Sequence, residues 1–549
     1  MFNKYNIFSY FKNKTFSVNK IKLYNRSYKS FIKIKKLYIF RLINGELKKT
    51  NLIFDKVFFS ILVFFYPKFR DLNLNISIAQ YVYQRFNYRK LNLKILLSKE
   101  KNFPLSYPVP SEYYKILSNN KVQISLFKCK ILWFLFCLIH WSYGNYIIFK
   151  ILFNSLINLC KKKEQIDLYF FNINKKNLPF DDNYKKRISY DLVSWFIKYF
   201  EKNNFSAKSI SCDNKKIENI CKKNMKVFYS DHPYLYIKNF FLVIYFFIIS
   251  LFFSILSFFF LLVGRWQSSF MFGEIVKSIA FIKADKNKLS KVYLFHYSET
   301  VYRPLWTYFD KEFKLKILLY FYSTYDSPTD FCNPKIDRSH EYSNISWQNI
   351  LVWDERHNEL LSKHMNKTIK NSKIEIVGPI WFNDKKFIFD TIKFRILIFD
   401  NEVGRNSIHF GWGELAEYNK FNKNLNHLFL YDIYNVFKDK NVEIIFKRKR
   451  EDKNSSKTSY KNLILKLRQD PKFVEIDPDV SPQYLVENAK IVISSPFTSA
   501  NLYSTKKETK NIYYDPISYV NKSDPAARGL SVICGFEELK EWEKNIIYN

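Results

Sequence analysis

Between Phe473 and Ser499 the chain reads FVEIDPDVSPQYLVENAKIVISSPFTS, and the order of these pieces decides the fold. Phe473–Asp477 and Lys490–Ser494 are short apolar runs rich in β-branched residues, each stopping at a polar side chain. Strands buried on both faces read this way. Between them, Pro478 marks a turn, and Ser481-Pro482 opens a brief helical segment running to Ala489. Proline suits a first helical turn because its missing N–H would have no partner there. A strand, a helix and a second strand within so few residues imply a parallel pair. Four hydroxyls and a proline then stand at the second strand's end, as Ser494, Ser495, Pro496, Thr498 and Ser499.

The same alternation continues in both directions. Upstream lie RILIFD (395–400), a helical stretch at 421–440 and VEIIFK (442–447), with SYKNLILKLRQD (459–470) next and NIYYD (511–515) after the quoted segment. In the stretch 421–440, Phe421, Leu425, Leu428, Phe429, Ile433, Val436 and Phe437 recur at helical spacing. A second α/β series precedes it: KVYLFHYSE (291–299), KILLYFYSTYD (316–326), QNILVWDERHNELLSKH (348–364) and KIEIVGP (373–379). The two series meet near GPIWF (378–382). They imply two Rossmann-like lobes facing a cleft, an α/β fold of GT-B-like outline in which a sugar nucleotide binds between the lobes. The N-lobe is expected over 288–382 and the C-lobe over 391–549. An α/β segment at 165–235 is assignable to the N-lobe, and 1–164 forms a basic, aromatic, helical region.

Phe240–Val263 is a run of 24 uncharged, mostly apolar residues. As a helix it extends about 36 Å, enough to cross the hydrocarbon of a bilayer. One membrane-embedded helix is therefore expected over 239–264, and the basic residues on both sides, Lys238 and Arg265, leave its orientation open. A shorter run, ILWFLFCLI at 131–139, is too brief to span and meets His140, so it reads as an interfacial or core helix.

The 549 residues include 88 Lys+Arg against 50 Asp+Glu, a formal net charge of +38. Such an excess points to phosphates, an anionic membrane face or nucleic acid. The lysines are spread evenly, as codon bias in an A/T-rich genome would spread them, and no nucleic-acid module is visible, so nucleic acid is not an expected partner. The seven cysteines show no metal-ligand spacing and read as reduced thiols. The N-terminal stretch lacks the apolar core of a signal peptide.

Ligands of parallel sheets sit beyond the carboxyl ends of the strands. On that rule Ser494, Ser495, Pro496, Thr498 and Ser499 are expected to bind a phosphate, with Ser495 capping a helix whose first turn holds Pro496. Lys447 and Lys449, at the end of VEIIFK, supply cations to the same cleft. Asp477 is expected at the cleft edge, touching ribose or base. Its neighbour Asp479 completes an Asp-Pro-Asp sequence that would suit a metal in another fold, but no metal and no cofactor are expected here. A general base must come from a strand end. Among His296, Glu299, Asp326, Glu402 and His409, the leading candidates are Glu299 and then His409. Arg528, in DPAARGLSVICG, is positioned to close the cleft.

ISSPFTSANLYSTK, NILVWDERHNELLSKH, IVGPIWF, RILIFD, IIFKRKRE, SPQYLVENAKIVISSPFTSA, IYYDP and GFEELKEW together resemble the surface-polysaccharide biosynthesis proteins named for a Pro-Phe-Thr-Ser (PFTS) motif. The resemblance covers 290–549, with the motif itself at Pro496–Ser499. It implies a GT-B-like, metal-independent glycosyltransferase at the bacterial cytoplasmic (inner) membrane, its catalytic lobes in the cytoplasm. The implied partners are a nucleotide-sugar donor, a lipid-linked or polysaccharide acceptor, and the membrane. Two other functions fit the same residues: a CDP-polyol phosphotransferase and a non-catalytic assembly protein.

Overall fold

A computed structural model describes residues 50–86, 102–158, 167–171, 192–201, 209–212, 221–222, 225–229, 239–297, 302–321, 345–365, 372–378, 394–400, 425–448, 458–506, 509–518 and 520–547, with single positions between them. The chain divides into two compact units. One comprises 1–50, 87–133 and 410–413, and the other 51–86, 134–409 and 414–549. In the first unit a backbone bridge joins Leu105 to Ile124, and the thiol of Cys129 donates to the Leu105 carbonyl at 3.2 Å. Both sheets belong to the second unit.

Among the helices that precede the sheets in the described residues are α1 (Lys56–Phe65), α2 (Leu74–Arg85) and α3 (Leu126–Asn158). Asp55 and Asn73 start α1 and α2 by accepting the orphan N–H of Phe58 and Ile76. The 33-residue α3 corrects one expectation. The apolar run at 131–139 is only its middle, because the apolar character resumes beyond His140 through Ile147, Ile148 and Ile151, giving a helix of about 50 Å.

The N-lobe sheet has eight strands among the described residues: β1 (Leu168–Phe171), β2 (Ser209–Cys212), β3 (Cys221–Lys222), β4 (Met225–Tyr229), β5 (Val292–Tyr297), β6 (Lys316–Phe321), β7 (Asn349–Val352) and β8 (Lys373–Ile376). Their spatial order is β3-β4-β2-β1-β5-β6-β7-β8, parallel throughout except for the antiparallel edge pair β3–β4. The order reverses between β1 and β5, the doubly wound arrangement. One face packs on α4 (Leu192–Glu201) through Leu168, Phe170, Leu294 and Phe196. The other face is aromatic: Phe171 stacks on Phe295 with centroids 3.9 Å apart, and Trp306 covers Tyr293 and Phe295.

The crossover from β4 to β5 carries two helices, α5 (Phe240–Leu262) and α6 (Gln267–Ile282). Gly264, at φ +83°, ends α5: its N–H reaches the Leu261 carbonyl and that of Arg265 reaches Phe260, which closes the last turn. Ser250, Ser254 and Ser257 of α5 face inward, with Ser254 donating to Asn145 of α3 at 2.6 Å. Ile248, Ile255 and Phe259 face outward, more than half exposed. Polar groups inside and apolar groups outside invert the pattern of a water-facing helix. α6 is buried along nearly its whole length and reaches the sheet where Phe281 meets Trp306. It touches α3 at Gly144, where a Cβ would come within 2.3 Å of the Phe272 ring. α3 and α5 are both long and apolar enough to cross a membrane.

The C-lobe sheet contains β9 (Arg395–Phe399), β10 (Glu443–Lys447), β11 (Phe473–Ile476), β12 (Ile491–Ser494), β13 (Lys510–Asp515) and β14 (Ser531–Cys534). Its order is β11-β10-β9-β12-β13-β14, all parallel, the 3-2-1-4-5-6 sequence of a dinucleotide fold. α7 (Glu355–His364) belongs to the N-lobe. In the C-lobe, α8 (Leu425–Phe437), α9 (Thr458–Leu467) and α11 (Phe536–Ile547) cover one face. The short α10 (Pro482–Glu487) covers the other, against Leu397, Phe399, Ile445 and Val492. The expected pair of Rossmann-like lobes is thus present.

Candidate functional site

The C-lobe order reverses between β9 and β12, so the carboxyl ends of these two strands frame the crevice where such sheets hold ligands. Phe399 and Ser494 pair in register there. Asp400 and the segment from Ser494 to Ser499 therefore leave the sheet side by side. Asp400 is buried and accepts from Tyr460 Oη and from Asn426 Nδ2, the latter at 3.0 Å. Burial, reinforced by Asp400, pushes the Tyr460 phenol well above its ordinary range, so it remains a donor.

The helix after β12 begins later than expected. The Thr498 N–H closes onto the Ser495 carbonyl at 3.2 Å, a turn with Pro496 and Phe497 at its centre. A 3-10 helix then runs from Ser499 to Lys506, so Ser495 caps no helix and Pro496 occupies no first helical turn. Proline pre-sets the φ of the first central position, whereas the second carries φ +59° on Phe497, where glycine or asparagine is usual. The Phe497 ring is held in place: it is buried, packs edge-on against Tyr513 at 5.7 Å, and belongs to a cluster with Val520 and Ala526. The turn aims the hydroxyls that flank it. Ser494 Oγ and Thr498 Oγ1 are buried and have no hydrogen-bond partner among the described residues, and the same holds for Ser481 Oγ beyond the end of β11. An unanswered buried hydroxyl costs about 1–3 kcal/mol, and a group left in that state calls for an explanation.

Lys447, at the end of β10, is buried and donates from Nζ to the Pro478 carbonyl at 2.8 Å, which ties it to the loop after β11. In that loop Asp477 is exposed and accepts the Asp479 N–H at 2.8 Å, so it organises its own turn. Arg448 is drawn away to the sheet edge by Glu475, which also holds Arg468. Glu299, His409 and Lys449 lie outside the described residues. In sequence, Glu299 follows the last residue of β5 by two. His296, inside β5, is buried, and burial alone pulls its pKa down to about 4, so it is neutral at physiological pH.

The two lobes meet close to these groups. Leu502, in the 3-10 helix that follows the turn, inserts into the N-lobe core with Leu351 and Trp353. Arg528, at φ +51°, pairs through its guanidinium with Asp354, the residue that caps α7 after β7. Sequence reasoning missed Asp400, Asp354 and Ser481. Asp400 was legible as the polar stop of a buried strand, and Asp354 as an acidic residue three before His357 at a helix start.

The family model described as "Polysaccharide biosynthesis PFTS motif protein" matches residues 249–543. No curated protein matches the chain. Among solved structures, a putative UDP-N-acetylglucosamine 2-epimerase from Listeria monocytogenes is similar at 10% identity and TM-score 0.35, covering 70% of this chain and 89% of that one. A spinosyn rhamnosyltransferase complexed with thymidine diphosphate is similar at 10% identity and TM-score 0.33, over 70% and 92%. An α,α-trehalose 6-phosphate synthase from Burkholderia multivorans is similar at 7% identity and TM-score 0.35, over 69% and 90%. These superpositions are loose, and the fold assignment rests on the strand orders.

Proposed function

The chain belongs to the polysaccharide biosynthesis PFTS motif family, and from that premise we propose that it is a membrane-attached, GT-B-like glycosyltransferase. It takes its sugar from a nucleotide-sugar donor. The observation that carries this reading is the set of buried, unanswered hydroxyls of Ser481, Ser494 and Thr498 at strand ends of a nucleotide-type fold. Phosphate oxygens of a donor would accept from them. In transfer, the bond between the sugar C1 and the phosphate oxygen breaks while an acceptor oxygen bonds to C1. The leaving phosphate gains charge, which fixed donors in a water-poor crevice stabilise. Ser495 and Ser499 would add donors, Lys447 would hold the loop opposite, and Arg528 would close the lobes over the donor. A general base must take the acceptor proton, and Glu299, two residues past β5 in sequence, is the first candidate and His409 the second. The inverted polarity of α5 supports insertion in a membrane, with α3 beside it. The bacterial inner membrane, with both lobes on its cytoplasmic face, fits the family.

The test is calorimetric titration of detergent-purified protein with UDP-, CMP-, GDP- and dTDP-sugars. One of these should bind, and Ser494→Ala combined with Thr498→Val should weaken it by at least about tenfold, the loss expected for charge-assisted bonds. Binding by none of the four would remove the reading's main support.

A further inference from the structure

Arg85 ends α2 with its side chain exposed, yet its guanidinium sits over the Tyr81 ring at 5.3 Å and within the electrostatic reach of Tyr143, Glu274 and Tyr302. No hydrogen-bond acceptor or counter-ion pairs with it among the described residues. The nearby carboxylate does not serve. Glu274 is buried, takes Lys277 Nζ at 2.7 Å and accepts from Tyr302 Oη, while Lys277 lies over the Tyr143 ring at 5.6 Å. The charges of Glu274 and Lys277 cancel, so the cluster keeps the single positive charge of Arg85. An exposed guanidinium backed by the Tyr81 ring, itself 5.2 Å from Tyr302, keeps its N–H fork turned to an incoming anion.

The surroundings say what kind of anion. One helical turn beyond Tyr143, α3 exposes Tyr146, then Phe149 and Phe153, on an outer apolar face. On the other side Tyr302 follows β5 by five residues, close in sequence to the N-lobe switch point. A ligand meeting both environments carries an anionic head and a hydrocarbon tail. The planar fork of arginine matches phosphate in particular.

We propose that Arg85, walled by Tyr81, Tyr143 and Tyr302 and backed by the Glu274–Lys277 pair, binds the phosphate of a lipid-anchored phosphate ester whose chain lies along the outer face of α3. That the ester is the sugar acceptor rests on the transferase reading above; the site itself does not.

The full chain in dodecyl maltoside is titrated with farnesyl phosphate, followed by tryptophan fluorescence and melting temperature. Binding is expected, and Arg85→Gln should weaken it at least about tenfold, with Arg85→Lys intermediate because the charge stays and the fork is lost. Unchanged binding by Arg85→Gln overturns the proposal, as does an absence of binding in the wild type. Circular dichroism and sugar-nucleotide affinity of each variant separate a lost site from a lost fold; should Arg85→Gln fail to fold, Arg85→Lys carries the comparison. Preference for farnesyl phosphate over phosphatidylglycerol supports an acceptor-type lipid, and equal competition supports the site as a bilayer headgroup contact. Inorganic phosphate binding as tightly as the ester overturns the lipid part. If farnesyl phosphate binds and no sugar nucleotide does, the transferase reading fails while this site stands.

Discussion

Ser481, Ser494 and Thr498 each bury a hydroxyl that finds no partner among the described residues, and this allows structure and function to be separated in one variant. Thr498→Val keeps the shape and removes the orphan group. Unliganded stability, by thermal or chemical denaturation, should hold or rise by about 1 kcal/mol, while donor affinity falls. A hydroxyl with only a structural role would change neither affinity nor its salt dependence. His296 gives a pH signature. Its folded pKa near 4 lies below the 6.5 of an exposed imidazole. The unfolded chain therefore binds the extra proton first, and stability should fall as pH drops from about 6.5 to about 4, by roughly 3 kcal/mol in all. His296→Gln should flatten that slope in denaturation followed at several pH values. At this level the sequence was readable where a strand's polar stop put a buried hydroxyl at the carboxyl edge of the sheet, as at Ser494. It was not readable for Lys447, because only the folded loop shows that the Pro478 carbonyl holds its ammonium.

The turn from Ser495 to Thr498 explains its own residues. Proline fixes one φ, the buried Phe497 ring anchors a backbone that its side chain disfavours, and the threonine closes the turn. Phe497→Ala keeps the strained φ and removes the anchor. It should cost about 3–5 kcal/mol, seen as an earlier unfolding transition. A sequence pattern carries no sign of a left-handed Phe, so the helix was expected to start at Pro496 rather than at Ser499. The span of α3 was misjudged for a similar reason: His140 looked like an end, but it packs against Phe270 at 4.4 Å inside the bundle. Where α3 meets α6, Gly144 leaves no room for a side chain, with Gly273 N already 3.0 Å from the place a Cβ would take. Gly144→Val should force the two helices apart and lower the melting temperature of the detergent-solubilised protein, while Gly264→Ala acts through backbone strain at the end of α5 instead.

Across the lobes, Arg528 and Asp354 form a bridge that is partly shielded from solvent. Replacing each by alanine, singly and together, should reveal a coupling of about 0.5–3 kcal/mol in a double-mutant cycle on thermal stability. Strand orders explain why the two-lobe architecture was legible from alternating runs alone, since each buried strand in a parallel sheet is a short apolar word between helices. The segment at 165–235, assignable to the N-lobe from its sequence, supplies β1 to β4, which complete the same sheet as β5 to β8. Leu168 pairs with Val292, and α5 and α6 lie between them in the chain. Half of one sheet is therefore synthesised before the greasy hairpin and half after it. During translation the first strands must wait, their rims unpaired, until the hairpin has found its place and β5 emerges. A shortened version starting at residue 288 would bare the flank of β5 that β1 normally covers, an adhesive edge, and should precipitate where the whole chain does not.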